Sequence, residues 1–287
     1  MGVIDNLRSI IFSKKKRKKM GRYEAIVVKE NSMSNKMECY NRLKDNILFS
    51  SDGGKNKVIQ IESSVAGECK TTVACNLAVS LGLNDKKVLI MDLDFRKPRV
   101  HQVFSLPIDT GIAEYMLGTA SIEKVIKKTA YKNVDMISRG AKIYNSSLVL
   151  TSEKFKDLVK RLRNVYDFII LDAPPVLQIS DYIHVSKVAD SCLFLVAYGY
   201  TKRAQVKEAV KELRKNDVKL LGTMFTLFDP SDKYGYYYGK KYYGGYYGKR
   251  GYGYGYGYGY GYGYGYGYSD NDSDDPRYDI RYKDENR

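Results

Sequence analysis

Val58-Ile59-Gln60-Ile61-Glu62-Ser63-Ser64-Val65-Ala66-Gly67-Glu68-Cys69-Lys70-Thr71-Thr72 runs from an apolar segment, through a turn of mostly small residues, into a helical pattern that continues to Gly82. A loop between a strand and a helix aims backbone N–H groups, and the positive end of the helix dipole, at an anion. Lys70 at its end can reach the β and γ phosphates of a nucleotide, and Thr71 can ligate Mg²⁺. The spacing is that of GxxxxGK[ST], with Ser64 and Cys69 standing at the two glycine positions.

Outward from this loop the chain alternates between two periodicities. Strands are predicted at Val58 to Glu62, Lys87 to Met91, Val134 to Ser138, Phe168 to Leu171, Cys192 to Ala197 and Leu220 to Phe225. Helical patterns run over Thr71 to Gly82, Glu153 to Tyr166, Tyr182 to Ala189 and Lys202 to Asn216. Strands alternating with helices predict an α/β fold, a mostly parallel sheet with helices on both faces. The second strand ends in Asp92-Leu93-Asp94-Phe95-Arg96-Lys97-Pro98, and a later one in Asp172-Ala173-Pro174-Pro175. Both place carboxylates at the carboxyl edge of the sheet, where open α/β folds bind their ligands.

The 287 residues are enough for one such domain with appendages, and three regions follow: 1–35, 36–230 and 231–287. The first holds a basic run. Arg8, Lys14, Lys15, Lys16, Arg17, Lys18, Lys19 and Arg22 face only Asp5 and Glu24 across residues 1–25, so part of the formal net charge of +15 is an N-terminal patch. Beside Ile10, Ile11 and Phe12 it suits an anionic membrane surface, at about 1 kcal/mol per basic side chain near the lipid; a solvated arm is the alternative. No stretch reaches the roughly 20 apolar residues of a spanning helix, so any membrane attachment is expected to be peripheral or through a partner. Cys39, Cys69, Cys75 and Cys192 form no CxxC pair and follow no secretory leader, which predicts reduced thiols in a cytoplasmic protein.

With these residues in hand, the chain resembles the bacterial tyrosine kinases of the CpsD/CapB type, P-loop kinases that accompany polysaccharide co-polymerases. The resemblance runs from about Glu38 to Asp229 and is carried by the loop at Lys70, Asp-x-Asp-x-Arg-x-Pro at Asp92 to Pro98, Asp-x-Pro-Pro at Asp172, Asp181 beyond it, and a terminal tyrosine cluster. It implies a P-loop NTPase-like fold and an ATP-dependent protein-tyrosine autokinase that regulates capsule or exopolysaccharide synthesis. Catalysis would fall to Asp92, Asp94, Lys70 and Asp172. Asp92 would orient or deprotonate the incoming phenol, Asp94 would support the metal site, and Thr71, Asp92 and Asp172 would form the magnesium set. The nucleotide would be held by Ala66, Gly67, Glu68, Cys69, Lys70, Thr71 and Thr72, with Thr226 where the family has an asparagine that reads adenine. Related ParA/MinD ATPases share the sheet but carry a second lysine where this chain has Val65. A weakly catalytic scaffold that binds a membrane partner is a further alternative.

Residues 233–287 hold 19 of the chain's 28 tyrosines, with unbroken Gly-Tyr alternation from Gly251 to Tyr268. Such composition lacks the aliphatic side chains of a core and predicts disorder. The resemblance makes Tyr234, Tyr236, Tyr237, Tyr238, Tyr242, Tyr243, Tyr246, Tyr247, Tyr252 and Tyr254 the phosphorylation cluster. Nine basic and seven acidic residues share this segment, and five phosphotyrosines would add roughly −7.5 to −10, reversing its sign. The alternation also suits a self-associating strand with every tyrosine on one face. Implied partners are a separate membrane-anchored activator of the co-polymerase type, further copies of the chain in a homo-oligomer, and an opposing protein tyrosine phosphatase. The implied location is peripheral, at the inner face of the plasma membrane. The family's Glu-x-x-Arg-x-x-Arg oligomerisation helix reads here as Glu38, Asn41 and Lys44. Basic residues among tyrosines near Lys240 to Arg250 predict at most weak, non-specific binding of single-stranded nucleic acid. Finally, Cys69 reads first as a tolerated substitution, while its place at a helix N-terminus beside Lys70, where a thiolate is expected to be favoured, also permits oxidation to switch nucleotide binding off.

Overall fold

The computed structural model describes residues 26–29, 34–51 and 54–227. In chain order these form α1 (Asn35–Ser50), β1 (Val58–Ser63), α2 (Lys70–Leu83), β2 (Val88–Asp92), α3 (Val100–Val103), α4 (Ile112–Leu117), α5 (Ile122–Val125), β3 (Lys127–Lys128), β4 (Val134–Ile137), α6 (Ser146–Thr151), α7 (Glu153–Leu162), β5 (Phe168–Asp172), α8 (Asp181–Ser186), β6 (Ser191–Ala197), α9 (Arg203–Lys215) and β7 (Leu220–Thr226).

The strands build one seven-stranded sheet in the order β3-β4-β2-β5-β1-β6-β7. Every pairing is parallel except that of the short edge strand β3 with β4. β1, β2, β4 and β5 are buried along their whole length; β2 and β5 accordingly read as near-continuous apolar runs, whereas β1 carries Gln60 and Glu62 and β4 carries Asp135. Their period-two alternation still sorts side chains between two cores. Ile59 and Ile61, Val88 and Ile90, and Phe168 and Ile170 face the layer that holds α2. Val58, Leu89 and Met91, and Ile169 and Leu171 face the layer that holds α7.

The helices differ in how much of their surface they bury. α2 is buried almost all round, from Val73 to Gly82, so its apolar residues follow no stripe. α7 is amphipathic: Ser152 caps its first turn by accepting from Phe155 N, and Phe155, Leu158, Val159 and Leu162 point inward. Emptying the Phe155 site by substitution with alanine would cost about 3–5 kcal/mol. The sequence pattern ran this helix to Tyr166, but it stops at Leu162. Asn164 to Asp167 turn the chain into β5, with Asp167 N and Phe168 N donating to Lys87 O. Ile26 and Val28, within the stretch read as arm and linker, are buried against α2. The N–H groups of Val27 and Val28 both donate to Asn76 Oδ1, at 2.8 and 3.2 Å.

Candidate functional site

β1 ends at Ser63 and α2 begins at Lys70, so the six residues between them arch over the helix N-terminus at the carboxyl edge of the sheet. The base of the arch is pinned by Val176 N and Leu177 N, which donate to the carbonyls of Ser63 and Ser64 at 3.0 and 3.1 Å. Its crown is held by Glu68, whose fully buried carboxylate accepts from Val65 N (2.7 Å), Ala197 N (3.1 Å) and the Thr201 hydroxyl. The Thr226 hydroxyl donates to Glu68 O at 3.0 Å, and Tyr200 Oη donates to Ala66 O at 3.1 Å. Gly67 has φ +89°, a backbone conformation that favours glycine, and a Cβ there would stand 2.8 Å from Tyr200 Oη and displace it. Cys69 also lies in the left-handed region, at φ 67°, where a side chain costs free energy that glycine does not.

On the other flank, β2 and β5 run side by side and pair Asp92 with Asp172 in register. Thr71 Oγ1 donates to Asp172 Oδ2 at 2.6 Å. Asp92 Oδ2 accepts from Arg99 N (2.9 Å) and Val100 N (3.0 Å). The second oxygen of each carboxylate, Asp92 Oδ1 and Asp172 Oδ1, is buried without a donor. Burial, then the Asp172 charge, hold Asp92 well above the usual carboxylate range. Burial raises Asp172 to about 6 against the pull of Lys70 and the Thr71 hydrogen bond. Buried polar groups nearly always find partners, so the two bare carboxylate oxygens beside the loop are a candidate position for a cation. Among the described residues there is no group of three or more His, Cys, Asp or Glu arranged as a metal cage. That donor set fits magnesium, which takes one or two carboxylates and fills its remaining positions with phosphate and water.

The comparisons with known proteins agree with this geometry. Residues 56–221 match the AAA domain family. The tyrosine-protein kinase YwqD of Bacillus subtilis is 33% identical over 202 residues, covering 70% of this chain and 85% of the relative. The chain belongs to the bacterial tyrosine kinases. Another member, the tyrosine-protein kinase CpsD of Streptococcus pneumoniae, is 33% identical over 211 residues, 71% of this chain and 92% of the relative. Among solved structures, the chimerical protein CapA2B2 superposes with a TM-score of 0.68 at 30% identity, covering 72% of this chain and 91% of the other. The kinase domain of Escherichia coli tyrosine kinase ETK gives 0.65 at 25%, covering 76% and 80%. The septum site-determining protein MinD of Pyrococcus horikoshii, solved with Mg-ADP, gives 0.53 at 25%, covering 61% and 72%. The bacterial tyrosine kinase core is therefore a P-loop, nucleotide-binding α/β fold.

Within this kinase core the residues singled out from sequence sort into three sets. Lys70, Thr71, Asp92 and Asp172 converge at the ends of β1, β2 and β5, and Asp94 lies two residues beyond, its Oδ1 accepting from Lys97 N at 2.9 Å. Ala66, Gly67, Glu68, Cys69 and Thr72 lie in or just behind the loop, but the Glu68 side chain serves the loop's own backbone. Thr226 ends β7 with its hydroxyl already engaged by Glu68 O. Arg96 is exposed, and so is Glu38, which pairs with Arg42 at 3.1 Å. One expectation is reversed. The Cys69 thiol is pushed up rather than down, because burial and the Glu68 charge outweigh Lys70. The tyrosine cluster from Tyr234 to Tyr254 lies outside the described residues, as do the basic arm and the Gly-Tyr alternation. Among the described residues no helix is long and apolar enough to cross a membrane.

Sequence reasoning passed over two features. Tyr200 and Thr201 reach the loop from the turn after β6, a partnership of residues more than 130 positions apart with no local signature. Gln60 and Glu62 alternate with Ile59 and Ile61 in the central strand, and both are fully buried. Gln60 Nε2 donates to Glu62 Oε1 (2.6 Å) and Tyr182 O (3.0 Å). Burial lifts Glu62 to about 8, against the opposing effect of Lys70. Two polar residues inside an otherwise apolar strand were the available signal.

Proposed function

We propose that this chain is an ATP-dependent protein-tyrosine autokinase that phosphorylates the tyrosine cluster of its own 231–287 segment from a catalytic domain spanning 36–230. The observation that carries the reading is the pair of bare buried oxygens, Asp92 Oδ1 and Asp172 Oδ1, beside Lys70 and Thr71. In this reading the backbone N–H groups from Gly67 to Thr71 cradle the phosphates, and Lys70 neutralises the β and γ oxygens. Thr71, Asp92 and Asp172 would hold a magnesium ion, with Asp94 supporting that site, and the ion would supply charge neutralisation to the transferring phosphate. A tyrosine oxygen attacks the γ phosphorus, the bond to the β–γ bridging oxygen breaks, and ADP leaves. Asp92 takes the phenolic proton, a task suited to a carboxylate whose proton affinity burial has raised.

The similarity to the tyrosine-protein kinases YwqD and CpsD supports tyrosine as the acceptor. By the same analogy the chain would act on capsule or exopolysaccharide synthesis at the inner face of the plasma membrane. It would do so with a membrane-anchored activator, as a homo-oligomer opposed by a protein tyrosine phosphatase, and with its basic arm against anionic lipid. Incubation with Mg-ATP followed by mass spectrometry of residues 231–287, beside a Lys70→Met control, tests the core of this. Phosphate should accumulate on several tail tyrosines in the parent chain and on none in the variant. Phosphate on neither, in the presence of the activator, would reduce the chain to a nucleotide-binding scaffold.

A further inference from the structure

The nucleotide reading leaves open what holds the base, and the sheet order constrains the answer. The bare carboxylates stand at the ends of β2 and β5, so the γ phosphate and its magnesium lie on that side of the loop. The α phosphate and nucleoside then leave in the opposite direction, toward the ends of β6 and β7. Three side chains meet the loop there, and the Thr201 hydroxyl is spent on the Glu68 carboxylate. Thr226 is buried at 7% exposure with its hydroxyl proton committed to Glu68 O, so it has no donor left for a base. Tyr200 is 46% exposed, an aromatic ring held at one edge against Gly67 and by its hydroxyl on Ala66 O. Its turn is fixed in turn by Ala197 N and the Thr201 hydroxyl on Glu68.

We propose that Tyr200 is the platform for the nucleobase, which stacks on the exposed face of its ring. The assignment rests on the nucleotide-binding reading above and deepens it. An aromatic platform suits this place because its hydroxyl is anchored before any ligand arrives, so stacking requires no reordering of the side chain. Stacking also accepts any purine, since each presents a π face.

The test uses the full chain and measures binding of Mg-ATP, Mg-GTP and Mg-tripolyphosphate by titration calorimetry. Tyr200→Ala is expected to weaken both nucleotides by about 5–150-fold more than it weakens tripolyphosphate, whereas Tyr200→Phe, which removes only the hydroxyl on Ala66 O, keeps most of the nucleotide affinity. An equal loss for tripolyphosphate overturns the assignment, because Tyr200 is then only a strut for the loop. An unchanged ATP affinity in Tyr200→Ala overturns it too, because the base then rests elsewhere. A separate result discriminates the underlying reading: if the parent chain binds tripolyphosphate no better than Lys70→Met does, the phosphate site itself is wrong and this inference falls with it.

Discussion

The two flanks of one phosphate loop treat their polar side chains in opposite ways. Toward β6 and β7, Glu68, Tyr200, Thr201 and Thr226 each spend their hydrogen bonds on one another or on the loop. Toward β2 and β5, Asp92 and Asp172 each keep one buried oxygen with no donor. A loop that must grip phosphate without rearranging needs a fixed side and a receptive side. The satisfied flank supplies the first, and in the proposed function the unsatisfied flank stores an electrostatic cost that a bound cation would relieve. The contrast separates stability from activity, and substitutions on the two flanks should move those quantities in different directions.

The largest effect is expected on the receptive flank. Asp92→Asn should lower the rate of tyrosine phosphorylation by about 10²–10⁴-fold while raising the unfolding temperature of the nucleotide-free chain. The amide can still accept from Arg99 N and Val100 N, and it removes a charge that burial and Asp172 oppose. Single-turnover phosphorylation and thermal melts of the same preparation check both signs. If the melting temperature fell together with the rate, Asp92 would be a structural residue and the contrast would be lost.

On the fixed flank the order reverses. Glu68→Ala strands three donors, those of Val65, Ala197 and Thr201, and should cost about 2–4 kcal/mol of stability. Urea denaturation measures it as a lower midpoint. ATP affinity should fall as well, because the loop loses its crown support, and Glu68→Gln should recover part of both losses. A midpoint identical to the parent's would show that the loop stands without its clamp.

How much of this was legible in advance follows the same division. The phosphate loop, the paired aspartates and the parallel sheet came from local patterns: a buried strand, a small-residue turn, a carboxylate at a strand end. Tyr200 and Thr201 could not be read this way, since what joins them to Ala66 and Glu68 is the adjacency of β1 and β6, set by packing across more than 130 residues; Thr226 was named only through the family resemblance, without its contact to Glu68 O. The short helices α3, α4 and α5 escaped for another reason. Each is six residues or fewer and shows too little periodicity to rise above a loop. The Cys69 expectation failed because it weighed the helix dipole and Lys70 but not the burial and the Glu68 carboxylate that the fold adds.

Glu62 sharpens the comparison from beneath the loop. Its carboxyl is raised to about 8 and that of Asp172 to about 6, so between those values and the ordinary carboxylate range the folded chain binds protons that the unfolded chain has released. Such groups contribute stability that is fully present at low pH and is lost as pH rises through the folded-state value. The exposed carboxylates Asp85 and Asp109, held low by Lys132 and Lys127, act in the opposite sense, but only in the acid range. The nucleotide-free chain should therefore melt at progressively lower temperature from pH 5 to pH 8.5, by a few degrees in all. Glu62→Gln should flatten the upper part of that profile. A profile that is level in the parent would mean that both carboxylates are ionised throughout.

The smallest effect tests the loop where its two flanks meet. Cys69 occupies a left-handed conformation at φ 67°, which costs a side-chain-bearing residue about 1–2 kcal/mol relative to glycine. Glycine gives part of this back through the greater entropy of the unfolded chain, about 0.5–1 kcal/mol. Cys69→Gly should thus gain roughly 0.5–1 kcal/mol, an increase of about 1–4 °C in melting temperature, and remove a Cβ from a backbone that must approach phosphate. Cys69→Ala keeps both the Cβ and the strain, so it should match the parent in stability and in ATP affinity. If alanine improves binding as much as glycine does, the thiol rather than the backbone is the obstacle, and the loop's departure from glycine acts through its chemistry instead of its conformation.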